Sequence, residues 1–287
     1  LGEEMLEAAQ TPKPTARGTR LRYSAAHACQ RQQSYAALQV MPTEPVDFAG
    51  AWVMGMGTLV HEALQEAIGR RFPGAEFEVA SMHGSHLSGS CDALLTGEVL
   101  ANAGFHNLKD SNVLYELKTM GSYSFDKQVG WNRMRAQITN PEGPALKAIA
   151  QAGMNALGIE AERGIHIDYV VMGSITFEAL SKQKADRMGI SDSQRVMAEF
   201  WLDRSEWLPL AQAELERMEN VASFLDRGYL APTFAVGDEG EEIFLSSSSN
   251  SWQCTYCSFR SVCNSDGPGI LSINDSVVAG SVQKEGE

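Results

Sequence analysis

Residues 113–118 read VLYELK. This apolar and aromatic run predicts a strand over Val113–Leu117. Side chains alternate across a strand, so Glu116 and Lys118 share one face and Leu117 takes the other. A carboxylate beside an ammonium suits metal-assisted hydrolysis. The carboxylate binds a hard cation such as Mg2+ or Mn2+. The lysine orients or activates the attacking water and offsets developing charge. Alone, such a tripeptide is more often a solvated strand face, so its neighbours decide the reading.

Upstream, Gly89–Leu95 (GSCDALL) and the shorter Phe77–Ala80 read as strands, with a Gly/Asn-rich connection over 101–112. The pattern is that of an antiparallel meander. Neighbouring strands lie about 4.8 Å apart, close enough for Asp92 and Glu116 to share one ion. Glu78 is either a further acid near that ion or a solvated strand residue. Thr58–Phe72 reads as a helix with an apolar stripe of Val60, Leu64, Ala67, Ile68 and Phe72. His61 sits at the edge of the stripe and offers another ligand.

Downstream, Ala145–Leu157 reads as a helix closed by Gly158. Gly164–Met172 and Ala198–Asp203 read as strands. Ser205 caps a long helix to about Arg227, with Leu208, Ala211, Leu215, Met218, Ala222 and Leu225 on its core face. Ser24–Val40 is a further helix and carries Cys29. The order of elements predicts a mixed α/β fold. Residues 1–20 and 265–287 read as flexible tails around a single domain over 21–264.

The chain has 287 residues, of which 44% are hydrophobic, enough for one large domain. No apolar run reaches a membrane-spanning length, and the N-terminus lacks a signal-like apolar region. The 23 Lys and Arg against 36 Asp and Glu give a net charge of −13. That balance argues mildly against a tight nonspecific DNA binder but does not exclude a narrow basic channel, because the local field matters more than the sum. No P-loop is present, which argues against helicase chemistry.

Of the five cysteines, Cys254, Cys257 and Cys263 form C-x2-C-x5-C in WQCTYCSFRSVC. In a chain this long they do not read as a disulfide framework. Reduced thiolates on a metal fit better and imply a cytoplasmic setting. Tetrahedral zinc and a cubane cluster both need a fourth ligand, and Cys29 is the candidate. Spacing alone does not separate the two metals. Four buried free cysteines are the plain alternative. Cys91 alternates with Asp92 and reads as a small core hydrophobe.

GTLVHEAL, GSCDALL, LYELKTM and a helix carrying Gln151, in that order, resemble the RecB-type nucleases of the PD-(D/E)xK superfamily. The resemblance spans about His61 to Gln151. It implies a restriction-endonuclease-like core, a mixed central sheet flanked by helices. By the same resemblance His61, Asp92, Glu116 and the Leu117 carbonyl hold the metal, Lys118 is catalytic, and Gln151 lies near the substrate. The family commonly places tyrosine four positions after that glutamine; this chain has Asn155. An early cysteine followed by a distant C-x2-C-x5-C is similar to the iron–sulfur branch, which includes CRISPR-associated exonucleases, the AddB nuclease domain and phage exonucleases. That likeness implies a [4Fe-4S] cluster on Cys29, Cys254, Cys257 and Cys263, joining the N- and C-terminal segments. It also implies single-stranded DNA or DNA ends as substrate, and a bacterial or phage protein with partners in recombination, CRISPR adaptation or phage DNA metabolism.

Over 119–144, Lys127, Arg133 and Arg135 alternate with Tyr123, Phe125 and Trp131, a mixture that suits single-stranded DNA or an ordinary loop. Lys182, Lys184, Arg187 and Arg195 form a second basic group, more often a solvated face. The leading expectation is a Mg2+- or Mn2+-dependent DNA exonuclease. A DNA-end-binding scaffold subunit without turnover, and a zinc-stapled binding protein, fit the same residues.

Overall fold

Each strand at the centre of the sheet is buried along most of its length, as the apolar run at 113–117 requires. A computed structural model describes residues 21–44, 46–135, 137–245 and 251–278; the expected tail over 1–20 lies outside them. In chain order the main elements are β1 (Leu21–Arg22), α1 (Gln30–Ala37), α2 (Phe48–Arg71), β2 (Glu76–His83), β3 (Leu87–Leu95), α3 (Gly97–Asn102) and β4 (Val113–Met120). Then come α4 (Ser122–Gln128), β5 (Trp131–Asn132), β6 (Gln137–Ile138), α5 (Leu146–Arg163), β7 (Tyr169–Thr176), α6 (Lys182–Met188), β8 (Met197–Asp203) and α7 (Arg204–Asp226). The chain closes with β9 (Tyr229–Leu230), β10 (Phe234–Val236), β11 (Glu242–Phe244), α8 (Trp252–Thr255), α9 (Arg260–Asp266) and β12 (Leu271–Ser272).

The fold is mixed α/β, as expected. A six-stranded sheet runs β1-β3-β4-β7-β8, with β2 also paired to β3. The β3–β4 pair is antiparallel, β4–β7 parallel and β7–β8 antiparallel. A parallel neighbour demands a crossover, and α5 lies within it. Register places Glu116 beside Met172 and Lys118 beside Ser174. Tyr115 shows how tightly this sheet is fitted. Its hydroxyl donates to Glu199 Oε1 on β8 at 3.0 Å, and a Cβ at Gly173 would lie 2.4 Å from that oxygen. Only glycine leaves β7 low enough for the phenol to pass.

The chain divides into two compact units. One comprises the described residues of Leu1–Met56, Met82–Gly89 and Gln212–Glu287; the other comprises Gly57–Ser81 and Ser90–Ala211. In the second, Ala93, Leu95, Val113, Tyr115, Leu117 and Val171 form a core that Val60, Leu64 and Ile68 of α2, with Phe72 just after it, cover. The stripe read from the sequence is thus the buried face of that helix. In the first, Tyr35, Val40, Leu230, Phe259, Val262 and Val278 form a separate core.

Four expectations need correction. Gly158 does not end its helix: it is buried inside α5, and Gly164 (φ 66°) supplies the left-handed cap. The helix expected over Ser24–Val40 shrinks to Gln30–Ala37, with Cys29 at its N-cap. The one expected over Thr58–Phe72 begins ten residues earlier, at Phe48. Residues 265–278 are not a loose tail. Strand β12 pairs with β9, and Asp266 accepts from Tyr35 Oη, Ser276 Oγ and Val277 N. No helix of the described residues is long and apolar enough to cross a membrane.

Candidate active site

Strands β3 and β4 present the acidic residues. Their ladder runs from Leu95↔Val113 to Ala93↔Tyr115 and stops. Beyond it the Asp92 side chain takes the place of a backbone partner: Leu117 N donates to Asp92 Oδ2 at 2.6 Å. The other oxygen, Oδ1, lies 3.0 Å from His61 Nδ1 on α2. That bond to Asp92 raises the His61 pKa above its ordinary value, against the opposing effect of burial.

Glu116 is the buried member, with 3% of its surface exposed. Its Oε1 accepts from Lys118 Nζ and from Gln151 Nε2, both at 2.8 Å. Lys118 also donates to Gln151 Oε1 at 3.0 Å, which closes a three-membered ring of side chains. Gln151 faces β4 from α5. The second carboxylate oxygen, Glu116 Oε2, is buried without a donor among the described residues. Burial pushes the Glu116 carboxyl up to about 7; Lys118 opposes the rise and Asp92 adds to it.

All the expected side chains, His61, Asp92, Glu116, Lys118 and Gln151, therefore meet in one site. The Leu117 side chain points into the core, and its N–H engages Asp92. Glu78 stands apart. It is exposed and bonds to Gln65 at 2.6 Å and Ser90 at 3.5 Å. Asn155 is fully buried, where it accepts from Ser81 Oγ at 2.8 Å and donates to Ser90 O at 2.9 Å. It ties α5 to β2 and β3 and presents nothing to solvent.

Of the two readings of the basic and aromatic segment, the buried rings fit the ordinary loop. Phe125 and Trp131 are buried (0% and 3% exposed), so neither ring is open to a base; Tyr123 is exposed, with Lys127 Nζ 5.5 Å from its ring centre. Arg133 and Lys184 both turn to the buried Asp126, at 2.6 and 3.6 Å. A buried acid fixed by two bases was not legible in the sequence, because Asp126 lacks any motif.

Cys29, Cys254, Cys257 and Cys263 line one pocket, together with Tyr35, Phe259 and Gln253. The pocket has about 430 Å³, part of it open to solvent. Burial pushes the Cys257 thiol up to about 11 and Cys263 up to about 12, and raises Cys29 as well. Among the described residues no three His, Cys, Asp or Glu side chains converge on a single-ion centre. Cys91 is buried in β3, with Sγ 3.6 Å from Ala93 O, and takes no part in the pocket.

No family model matches this chain, and no curated protein does. Two solved structures resemble it weakly. The crystal structure of SSO0001 is 15% identical, with 91% of this chain and 93% of that one covered, at a TM-score of 0.44. An alkaline exonuclease from Laribacter hongkongensis is 13% identical, with 78% and 96% covered, at a TM-score of 0.39.

Proposed function

We propose that this chain is a Mg2+- or Mn2+-dependent deoxyribonuclease, an exonuclease acting on single-stranded DNA or DNA ends, with a structural [4Fe-4S] cluster. One observation carries the reading. Glu116 is buried beside Lys118 and Gln151 with Oε2 lacking a donor, and a cation would satisfy that oxygen as no described group does. The donor types suit a hard ion: Glu116 Oε2, Asp92 and His61 would draw together to hold it, since no three such side chains among the described residues converge without it, and the Leu117 carbonyl would join them.

When bound, such an ion polarises a phosphoryl oxygen and acidifies water. The chain does the rest. His61 fixes one oxygen of Asp92 and Leu117 N fixes the other, so the carboxylate is oriented before any ligand arrives. Gln151 holds the Lys118 ammonium toward Glu116. Lys118 then positions the water that attacks phosphorus and steadies the charge that grows as the leaving oxygen departs. The leaving oxygen takes up a proton from solvent.

For the thiols, the donor set suits iron–sulfur or zinc. Zinc draws four thiolates to about 2.3 Å from one point. Here the four line one pocket, and the likeness to the iron–sulfur branch favours a cluster with a structural role.

The test is cleavage of end-labelled single strands with Mn2+ by anaerobically purified protein, with iron, sulfide and zinc assays. Wild-type rates from Glu116→Ala or Lys118→Ala protein would reject the nuclease reading. A colourless, zinc-containing protein would reject the cluster. A second reading, a DNA-end-binding subunit without turnover, draws on both oxygens of Asp92 being committed within the chain. It predicts DNA binding with no Mn2+-dependent product.

A further inference from the structure

Arg31 is fully buried, two residues after Cys29 in the first turn of α1. Its guanidinium donates to the main-chain carbonyls of Ala231 at 2.6 Å, Gly267 at 3.1 Å and Gly269, and reaches Tyr35 Oη at 3.4 Å. Every acceptor is uncharged. The carboxylate nearest in this network, Asp266, is reached only through the Tyr35 hydroxyl, which donates to it at 2.7 Å. Asp266 forms no ion pair with Arg31 and is occupied by Ser276 and Val277.

The carbonyls that hold Arg31 belong to the metal pocket's own scaffold. Gly267 closes α9, and its N–H donates to Cys263 O at 3.0 Å, while its carbonyl accepts from Arg31. Tyr35 lines the thiol pocket, and its ring lies 5.6 Å from that of Phe259, between Cys257 and Cys263 in the chain. Arg31 thus bridges the segment after Cys29 and the segment after Cys263. A guanidinium excluded from water is costly without a compensating charge. Four neutral thiols provide none. Four thiolates around an iron–sulfur core, or around zinc, carry a net negative charge at that place.

We infer that Arg31 is the counter-charge of the metal–thiolate set: a positioning residue that makes the pocket favour an anionic metal complex and retain it. This rests on the metal reading of the four cysteines. The same position makes Arg31 raise the reduction potential of an iron–sulfur cluster, because a nearby cation favours the more negative, reduced state. Substitution separates charge from scaffold. Arg31→Lys keeps the charge and loses the planar fork, whereas Arg31→Met loses both.

The experiment compares anaerobically purified wild-type, Arg31→Lys, Arg31→Met and Asp266→Asn proteins. Metal content is measured first; a wild-type protein holding neither iron nor zinc overturns the metal reading and this inference with it. Release of metal to a chelator is then timed. Arg31→Met is expected to release it at least tenfold faster, and Arg31→Lys within about threefold of wild type. With iron bound, Arg31→Met is expected to shift the oxidised-to-reduced ratio about tenfold at the wild-type midpoint, 59 mV downward for one electron. Asp266→Asn, which removes the opposing charge, is expected to move the midpoint upward. If Arg31→Lys leaks as fast as Arg31→Met, the role is hydrogen bonding alone and the inference fails. If Arg31→Met does not fold, the Asp266→Asn midpoint decides for iron: no upward shift overturns the inference. For zinc, the Arg31→Lys release rate decides.

Discussion

The acidic site and the thiol pocket are unfinished in opposite senses. The first holds a buried carboxylate whose Oε2 lacks a donor, and so wants positive charge. The second is lined by Tyr35, whose hydroxyl accepts from the buried Arg31 guanidinium; all the acceptors of Arg31 are neutral, so negative charge nearby would suit it. They are also built differently. The acidic site draws on adjacent strands and two helices, and its side chains hold one another. The thiol pocket draws its cysteines from residues far apart in the chain, and main-chain carbonyls hold Arg31 behind Tyr35. A polar group buried without its partner is expensive in either sign, which is why each region supports the binding proposed for it.

The sharpest way to break this comparison is at Glu116. Glu116→Ala or Lys118→Ala is expected to slow Mn2+-dependent cleavage by about 10²–10⁴-fold while the melting temperature holds, measured by gel assay and thermal melt. Cys29→Ser is expected to lose most of the bound metal and lower the melting temperature by roughly 5–10 °C, at 2–4 °C per kcal/mol for a chain of this size. Gln151→Ala frees both Lys118 and Glu116 and is expected to cost about tenfold in cleavage rate, with metal content of the thiol pocket unchanged. Asn155→Ala leaves the carbonyl of Ser90 and the hydroxyl of Ser81 short of a partner. It is expected to cost about 1–3 kcal/mol in denaturant unfolding. The smallest effect belongs to Cys91→Ala. Its product should keep its metal and lose about 1 kcal/mol, since only a buried sulfur is removed. Loss of metal there would merge Cys91 with the other four cysteines and undo the contrast.

Much of the acidic site was legible because its signals are local. Strand alternation placed Glu116 with Lys118, and the apolar stripe of α2 placed His61 beside the sheet. Spacing grouped Cys254, Cys257 and Cys263, the need for a fourth ligand and the family resemblance added Cys29, and alternation with Asp92 set Cys91 aside. What escaped the sequence depends on tertiary bonds. Gly158 reads as a helix end, yet α5 is packed deeply enough for a glycine to be carried through. The stretch Phe48–Gly57 has three glycines, which obscured its helix although Asp47 stands at its head and Asp47 Oδ1 accepts from Gly50 N at 2.8 Å. Residues 265–278 look polar and loose until Asp266 is seen gathering Tyr35, Ser276 and Val277. Arg31 has no motif, since carbonyls hold it and carbonyls leave no mark on a sequence. Phe125 and Trp131 resembled base-stacking rings because hydropathy alone does not tell a buried aromatic from an exposed one.

The spread of the thiol ligands along the chain has a temporal consequence. Cys29 is made before the acidic site and Cys263 after it. A metal centre needing all four thiols could not be completed until residue 263 has been made. Loading would then act as an inspection once the acidic residues are in place, and chains broken off before residue 254 would contain those residues but only one of the four thiols.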